Sequence, residues 1–293
     1  MNKKLIYIDN NDDLVQICGQ FQSCSWLAVD TEFERSRTYY PQLCLLQIAG
    51  EGTTAVIDCL AVTDLEPIFA VLYDSAIVKV FHAARQDLEI FFHIKGELPV
   101  PLFDTQLAAQ LLGYENQIGY ANLVQKLLDV ELAKSQTRTN WKRRPLSSKQ
   151  LEYAADDVIY LAQVYHLLRK RLNDEQLALL DGECRTLTRA ELYLPAPESM
   201  WLKIRNARRL DSDIQAVLQQ LAAWRERTAR KENRPRNWIL QDYTLVEIAQ
   251  AQPASQRALA RISGLHEQVL KRHGKTLVEI AGLSASEAII SQT

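Results

Sequence analysis

Two carboxylates, Asp30 and Glu32, end the apolar run "WLAVDTE". Side chains alternate along a strand, so both acids leave the same face as neighbours. Such a pair repels itself and raises its own proton affinity unless a cation intervenes. Magnesium suits the position, because it takes oxygen ligands and keeps waters that substrate oxygens can displace. The competing reading is a solvated strand end with two unrelated acids. Further acids lie downstream. Asp87 falls near the start of a helical segment in "VKVFHAARQDLEIF", and "KQLEYAADDVIYLAQVYHLL" carries Tyr153, Asp156 and Asp157. Tyr153 and Asp157 are four apart and share one helical face. They stand beside an apolar stripe of Leu151, Ala154, Val158, Leu161 and Val164. Periodicity does not choose between Asp156 and Asp157; one of them suits a charged outer face.

The elements that must hold these groups alternate over the first 175 residues. "LIYID", "WLAVD", "LCLLQIA", "TAVID" and "IVKVFH" read as strands, the middle three spaced like a hairpin-connected meander. "DDLVQICGQF", "DLEPIFAVLYD", "RQDLEIFFHI", "DTQLAAQLL" and "ANLVQKLLD" read as helices, the fourth capped by Asp104. The fold class is therefore α/β with a mixed sheet, an antiparallel meander followed by a crossover strand, over residues 1–175. Residues 176–210 form a helical, proline-containing linker with Pro195 and Pro197. From 211 to 290 the strand signal is gone. "DIQAVLQQLAAWRERTARK" sets Ile214, Val217, Leu218, Leu221 and Trp224 on one face, and short helices punctuated by Pro253, Gly264 and Gly274 follow. That pattern predicts a small all-α domain.

Bulk composition narrows the class without deciding it. The chain has 293 residues, 47% of them hydrophobic and 24% charged, with a formal net charge of −2, so a nucleic-acid partner is neither demanded nor excluded. Five scattered cysteines with no metal-ligand spacing fit reduced thiols better than a disulfide framework. The N-terminal "MNKKLIYIDNNDDL" makes a poor signal peptide, and no apolar run approaches the ~20 residues that span a bilayer. A cytoplasmic protein with no membrane partner is expected.

"VDTEF", "HAARQDL" and "YAADD", in that order, resemble the three motifs of the DEDD superfamily of 3′–5′ exonucleases. The sequence between them, including "QLCLLQIA", "LFDTQLAAQLL" and "WKRRPLSSKQLEYAADDV", resembles the ribonuclease D family, and the helical tail resembles an HRDC domain. The resemblance implies a ribonuclease-H-like exonuclease domain. It implies four metal ligands, Asp30, Glu32, Asp87 and Asp157, holding two divalent ions, Mg2+ or Mn2+. Tyr153, three residues clear of Asp157, places the chain in the tyrosine class, where the phenol orients the attacking water. The implied activity is release of 5′-monophosphates from a free RNA 3′ end, with precursor tRNA as substrate and the protein acting as a monomer. Family members often carry a second HRDC-like domain, for which these residues leave no room. A DNA exonuclease and a non-catalytic binding module are the alternatives, and the intact acid set speaks against the second.

The resemblance also suggests substrate contacts at Thr31, through its main chain, and at Phe33. On a regular strand Phe33 faces away from Glu32, so core packing competes. His82 could touch a phosphate, or be held by structural hydrogen bonds. The segment "AKSQTRTNWKRRPLS" gathers Arg138, Lys142, Arg143 and Arg144 around Trp141, a composition suited to phosphates and base stacking on a single strand. The competing reading is a solvated loop anchored by Trp141. Gln47 is expected to be buried with a partner. In "WRERTARKENRPRNW" a phosphate-tracking surface competes with a core built on Trp224 and Trp238.

Overall fold

The computed structural model describes residues 5–133, 136 and 139–283. Arg138, expected to contact substrate, lies outside the described residues. The chain divides into two compact units, one of residues up to 34 with 41–193, the other of residues 35–40 with those from 194 onward.

The first unit is built on a six-stranded sheet: β1 (Leu5–Ile8), β2 (Trp26–Glu34), β3 (Gln42–Ala49), β4 (Thr54–Asp58), β5 (Val78–Phe81) and β6 (Leu102–Asp104), in the order β1-β4-β3-β2-β5-β6. The meander β2-β3-β4 is antiparallel, and β1, β5 and β6 add in parallel. The strand β6, three residues long, carries no periodicity and was not expected. Alternation along β2 sorts its side chains between two helical layers. Leu27 and Val29 join a core with α1 (Asn11–Phe21), α2 (Glu66–Leu72) and α3 (Arg85–Lys95). Trp26 and Ala28 join another with α4 (Thr105–Leu111), α5 (Tyr120–Leu128), α6 (Ser148–Arg171) and α7 (Asp174–Leu187). Asp30 and Glu32 continue the phase of Ala28, towards α6, whereas Thr31 continues that of Val29, towards α3. The register slips between Glu32 and Phe33.

Lys79 is an unusual core residue. It is fully buried in β5, and its ammonium donates to the carbonyls of Asp74, Ile77 and Val100 at 2.6–2.7 Å. Burial pulls its pKa down to about 8.

Residues 176–210 belong to both units. Leu180 and Cys184 of α7 pack in the first unit, while the 3-10 helix Pro197–Lys203 packs in the second through Met200. There, α8 (Ser212–Glu232), α9 (Arg236–Ile239), α10 (Asp242–Ala251), α11 (Gln256–Leu259) and α12 (Glu267–Ala281) surround Leu218, Leu221, Leu245, Ile248 and Leu277. Trp224 packs against this core, but Trp238 is half exposed and takes no part in it. The arginines of the basic segment are largely ion-paired. Arg227 meets Glu198, Arg225 meets Asp242, and Arg230 and Arg236 share the fully buried Glu226. Tyr39, from the connector 35–40, donates its hydroxyl to that same Glu226. All five cysteines are free thiols. Among the described residues no helix is long and apolar enough to cross a membrane.

Candidate metal centre

The carboxylates of Asp30, Glu32 and Asp157 each place an oxygen within 4.8 Å of the others. Two elements produce this convergence. The strand β2 delivers two acids from one face. The helix α6 delivers the third, and its start is fixed by a capping box: Gln150 N–H donates to Ser147 Oγ while the Gln150 side chain accepts from Ser147 N–H. Four residues before Asp157 on α6, the Tyr153 hydroxyl hydrogen-bonds the Asp157 carboxylate. Asp156, adjacent in sequence, is outside the carboxylate trio.

Asp87, on α3 across the sheet, lies outside this trio but close enough for its charge to act on Glu32. It is buried, and its Oδ1 accepts from the Thr31 hydroxyl at 2.5 Å, so the residue between the two β2 acids orients the α3 acid. Asp104 sets the approach to α3. Only 1% exposed, it accepts from Ala83 and Ala84 N–H on one side and caps α4 through Gln106 and Leu107 N–H on the other. Ala83 has a φ of 57°, a conformation that costs a residue with a Cβ and that Asp104 holds in place. The cap expected of Asp104 is present and also pins this turn.

Electrostatics at the centre run in one direction. Burial, then Asp157, push the Asp30 carboxyl well up; burial, then Asp30, do the same to Asp87. Glu32 rises to about 10 through burial and the repulsion of Asp30, Asp157 and Asp87. Asp157 rises to about 8 through burial and Asp156, against the lowering hydrogen bond from Tyr153. A half-buried all-oxygen donor set that holds its protons this firmly fits a hard divalent cation, which would displace them.

Above the carboxylates opens a cavity of about 520 Å³, lined by Phe33, His82, Tyr120, Trp141 and Tyr153 together with Asp30, Glu32 and Asp157. The slip at Glu32/Phe33 accounts for Phe33: a bulge re-aims the side chain that regular alternation would send away. His82 lines the cavity, yet both its ring nitrogens are engaged, Nε2 with the Ile118 carbonyl and Nδ1 with Thr105 Oγ1, each at 3.0 Å. Burial lowers its pKa, so it is neutral and does not serve as a phosphate cation. Trp141 is 3% exposed and packs on Tyr153, with ring centroids 6.1 Å apart, so it forms a wall of the cavity rather than a free stacking platform. Its Nε1 and both amide atoms of Gln47, which is paired with Asp30 across β2 and β3, are buried without a protein partner. Gln47 thus lacks the partner expected for it.

Arg144 is a correction. Its guanidinium is ion-paired with Asp58, whose carboxylate is 2% exposed, and also donates to the carbonyls of Cys44 and Trp141. Burial pushes Asp58 up, but the hydrogen bonds from Arg144 and Tyr7 outweigh it and hold the carboxyl below its ordinary value. The basic loop therefore uses this arginine to close itself onto β4, not to meet substrate. Arg144→Ala leaves Asp58 buried and uncompensated, and is expected to cost about 3–5 kcal/mol in denaturant unfolding. Loss of RNA affinity at unchanged stability would instead restore the phosphate contact. Tyr120 was not foreseen. It donates to the Asp157 main-chain carbonyl at 2.5 Å from the start of α5, a long-range pairing that no local pattern announces.

A mixed sheet bearing convergent acids on its central strand and on helices from both layers defines a 3′–5′ exonuclease, and residues 5–173 match the family model described as "3'-5' exonuclease". Residues 214–281 match the HRDC domain model. The chain belongs to the ribonuclease D family, whose members are 3′–5′ exoribonucleases. It is 43% identical over 262 residues to ribonuclease D of Gluconacetobacter diazotrophicus, covering 89% of this chain and 66% of that one. It superimposes on Escherichia coli RNase D, "an exoribonuclease involved in structured RNA processing", with a TM-score of 0.85 and 37% identity over 99% of this chain and 76% of that one. Brucella melitensis NrnC with bound Mg2+ matches 65% of this chain and 94% of its own, with a TM-score of 0.55 and 30% identity. The chain thus spans about two thirds of the length of the Gluconacetobacter relative.

Proposed function

We propose that this chain trims the 3′ ends of structured RNA, precursor tRNA first among them, by hydrolysis at a two-ion centre, working as a cytoplasmic monomer. The observation that carries this reading is the convergence of Asp30, Glu32 and Asp157 beside Asp87, with Tyr153 on the Asp157 carboxylate. Asp30, Glu32, Asp87 and Asp157 would hold the ions, Mg2+ or Mn2+. When bound, such ions supply positive charge at the scissile phosphate and acidify a water. Tyr153 orients the attacking water through its hydroxyl, which stays protonated in this role. Thr31 keeps Asp87 in place and offers its main chain to the terminal 3′-hydroxyl. Phe33 packs on the last base, and Trp141 backs Tyr153. Free thiols agree with a reducing compartment.

The test is a 5′-labelled single-stranded RNA beside DNA of the same sequence, each with Mg2+ or EDTA. A ladder shortening from the 3′ end on RNA alone, absent in EDTA, is the expected result; equal shortening of DNA would replace the substrate class. In the same assay Tyr153→Phe is expected to lower kcat about tenfold to a hundredfold with little change in KM, the signature of lost positioning. An equal rise in KM would make Tyr153 a binding group instead.

A further inference from the structure

Five buried side-chain nitrogen and oxygen atoms have no hydrogen-bond partner among the described residues, and four of them lie on the α6 face of the sheet. They are both amide atoms of Gln47, the Thr54 hydroxyl and the Trp141 indole nitrogen. Gln47 carries the largest cost of the three. It is fully buried, and its amide holds two donors and an acceptor that the unfolded chain gives to water. From Leu43 to Ala49 the other side chains of β3 are apolar, so packing within the strand gives no reason for an amide here.

Position supplies the reason. Gln47 stands directly opposite Asp30 on β2 and opposite Val56 on β4. Directly opposed residues of an antiparallel pair share a face and hold their Cβ atoms about 4.5–5.5 Å apart, so the Gln47 amide leaves the sheet beside the Asp30 carboxylate. Val56, its other neighbour, packs with Trp141 and with Ala154 and Ala155 of α6, which closes this side to water. Across from Glu32, β3 carries Leu45, so of the two acids at the centre only Asp30 has a polar cross-strand neighbour. A carboxylate has about four acceptor positions, and the Thr31 N–H fills one on Asp30. An ion takes one or two more, which leaves room for an amide donor.

We propose that Gln47 is a positioning residue for Asp30: its amide N–H donates to a carboxylate oxygen of Asp30 and so fixes which oxygen is turned towards an ion. This role rests on the metal-dependent reading of the site. Hydrogen bonds of this kind orient a ligand, and losing one typically costs about tenfold to a hundredfold in metal affinity or activity.

Mn2+ binding to the full chain, followed by loss of the free-ion electron paramagnetic resonance signal, gives a readout without turnover. Gln47→Met, unbranched and close in size, removes the amide and keeps the packing. It is expected to weaken Mn2+ binding about tenfold to a hundredfold, and to lower kcat on single-stranded RNA by a similar factor with KM unchanged. In EDTA the variant is expected to unfold no earlier than the wild type, because an unpaired amide has left the interior. Thr54→Val removes another unpaired group from the same face, opposite Ala49 rather than an acid, and is expected to change neither Mn2+ affinity nor kcat. Wild-type Mn2+ affinity and kcat in Gln47→Met would overturn the role, as would an equal loss in Thr54→Val. If Gln47→Met does not fold, Gln47→Asn decides, since it draws the amide back from Asp30 by one methylene. Weaker Mn2+ binding in that variant sustains the role, and unchanged binding overturns it. The wild-type chain is titrated first, so a protein without a metal centre and a metal centre that does not need Gln47 give different results.

Discussion

Asp30→Asn is expected to lower RNA turnover at least roughly a thousandfold while making the metal-free protein more stable. Two physical effects act on the same atoms. As a ligand candidate, Asp30 is the acid whose charge weighs on both Glu32 and Asp87, and losing it removes the several kcal/mol of transition-state stabilisation that a displaced ion would provide. As a half-buried group, Asp30 is held against its hydration and against Asp157, so a neutral amide of the same shape relieves the fold. A gain of about 1 kcal/mol, some 2–4 °C in the unfolding midpoint for a domain of this size, is the expected scale. Single-turnover kinetics in Mg2+ and thermal unfolding in EDTA read the two effects separately. An inactive variant that is also less stable would mean that this carboxylate serves the fold before it serves the reaction.

The second large effect is a pH dependence that divalent ions abolish. Glu32 and Asp157 titrate in the folded chain at about 10 and about 8, against ordinary carboxylate values near 4, and Asp30 and Asp87 are shifted in the same direction. Between those limits the folded state carries more protons than the unfolded one, so the stability due to these groups falls as pH rises. Lys79, lowered to about 8, works in the opposite sense above that pH, and the lowered His82 does so on the acid side of its ordinary value. Comparing unfolding curves in Mg2+ and in EDTA cancels both. Ion binding must displace protons, so the Mg2+ stabilisation is expected to be small at pH 6 and to grow towards pH 8, reaching about 2.7 kcal/mol when the ion is at a hundred times its dissociation constant. A Mg2+ increment that is flat across this range would remove the proton-loaded centre.

Much of this arrangement is legible in the sequence because its causes are local. Strand alternation is enough to place Asp30 and Glu32 together, and helical spacing is enough to stack Tyr153 on Asp157. The meander and the apolar face of α6 follow from the same periodicities. Choosing Asp157 over Asp156 needed family resemblance, since both acids fit the helix equally well. Other features depend on residues far apart in the chain. Phe33 enters the cavity only because β2 and β3 slip by a residue. Arg144 stands in a basic run that reads as a nucleic-acid contact, yet it answers a buried acid 86 positions away. Tyr120 and Gln47 matter through neighbours that composition does not reveal. In the helical unit the positive run looked like an open surface because the acids that neutralise it, Glu198, Glu226 and Asp242, are interleaved or distant.

The connector between β2 and β3 has a consequence for dissecting this protein. Residues 35–40 belong to the helical unit, and Tyr39 donates to the same buried carboxylate that Arg230 and Arg236 neutralise. The two units are therefore not beads joined by one string. A cut after Tyr193 yields a nuclease fragment that still carries six residues of the other unit, stripped of their packing in the loop that leaves β2. The complementary fragment loses a phenol from around its only fully buried glutamate among the described residues. Excising either unit intact would require redesigning that loop, so poor behaviour of a simple truncation would speak to the cut rather than to what the missing unit does.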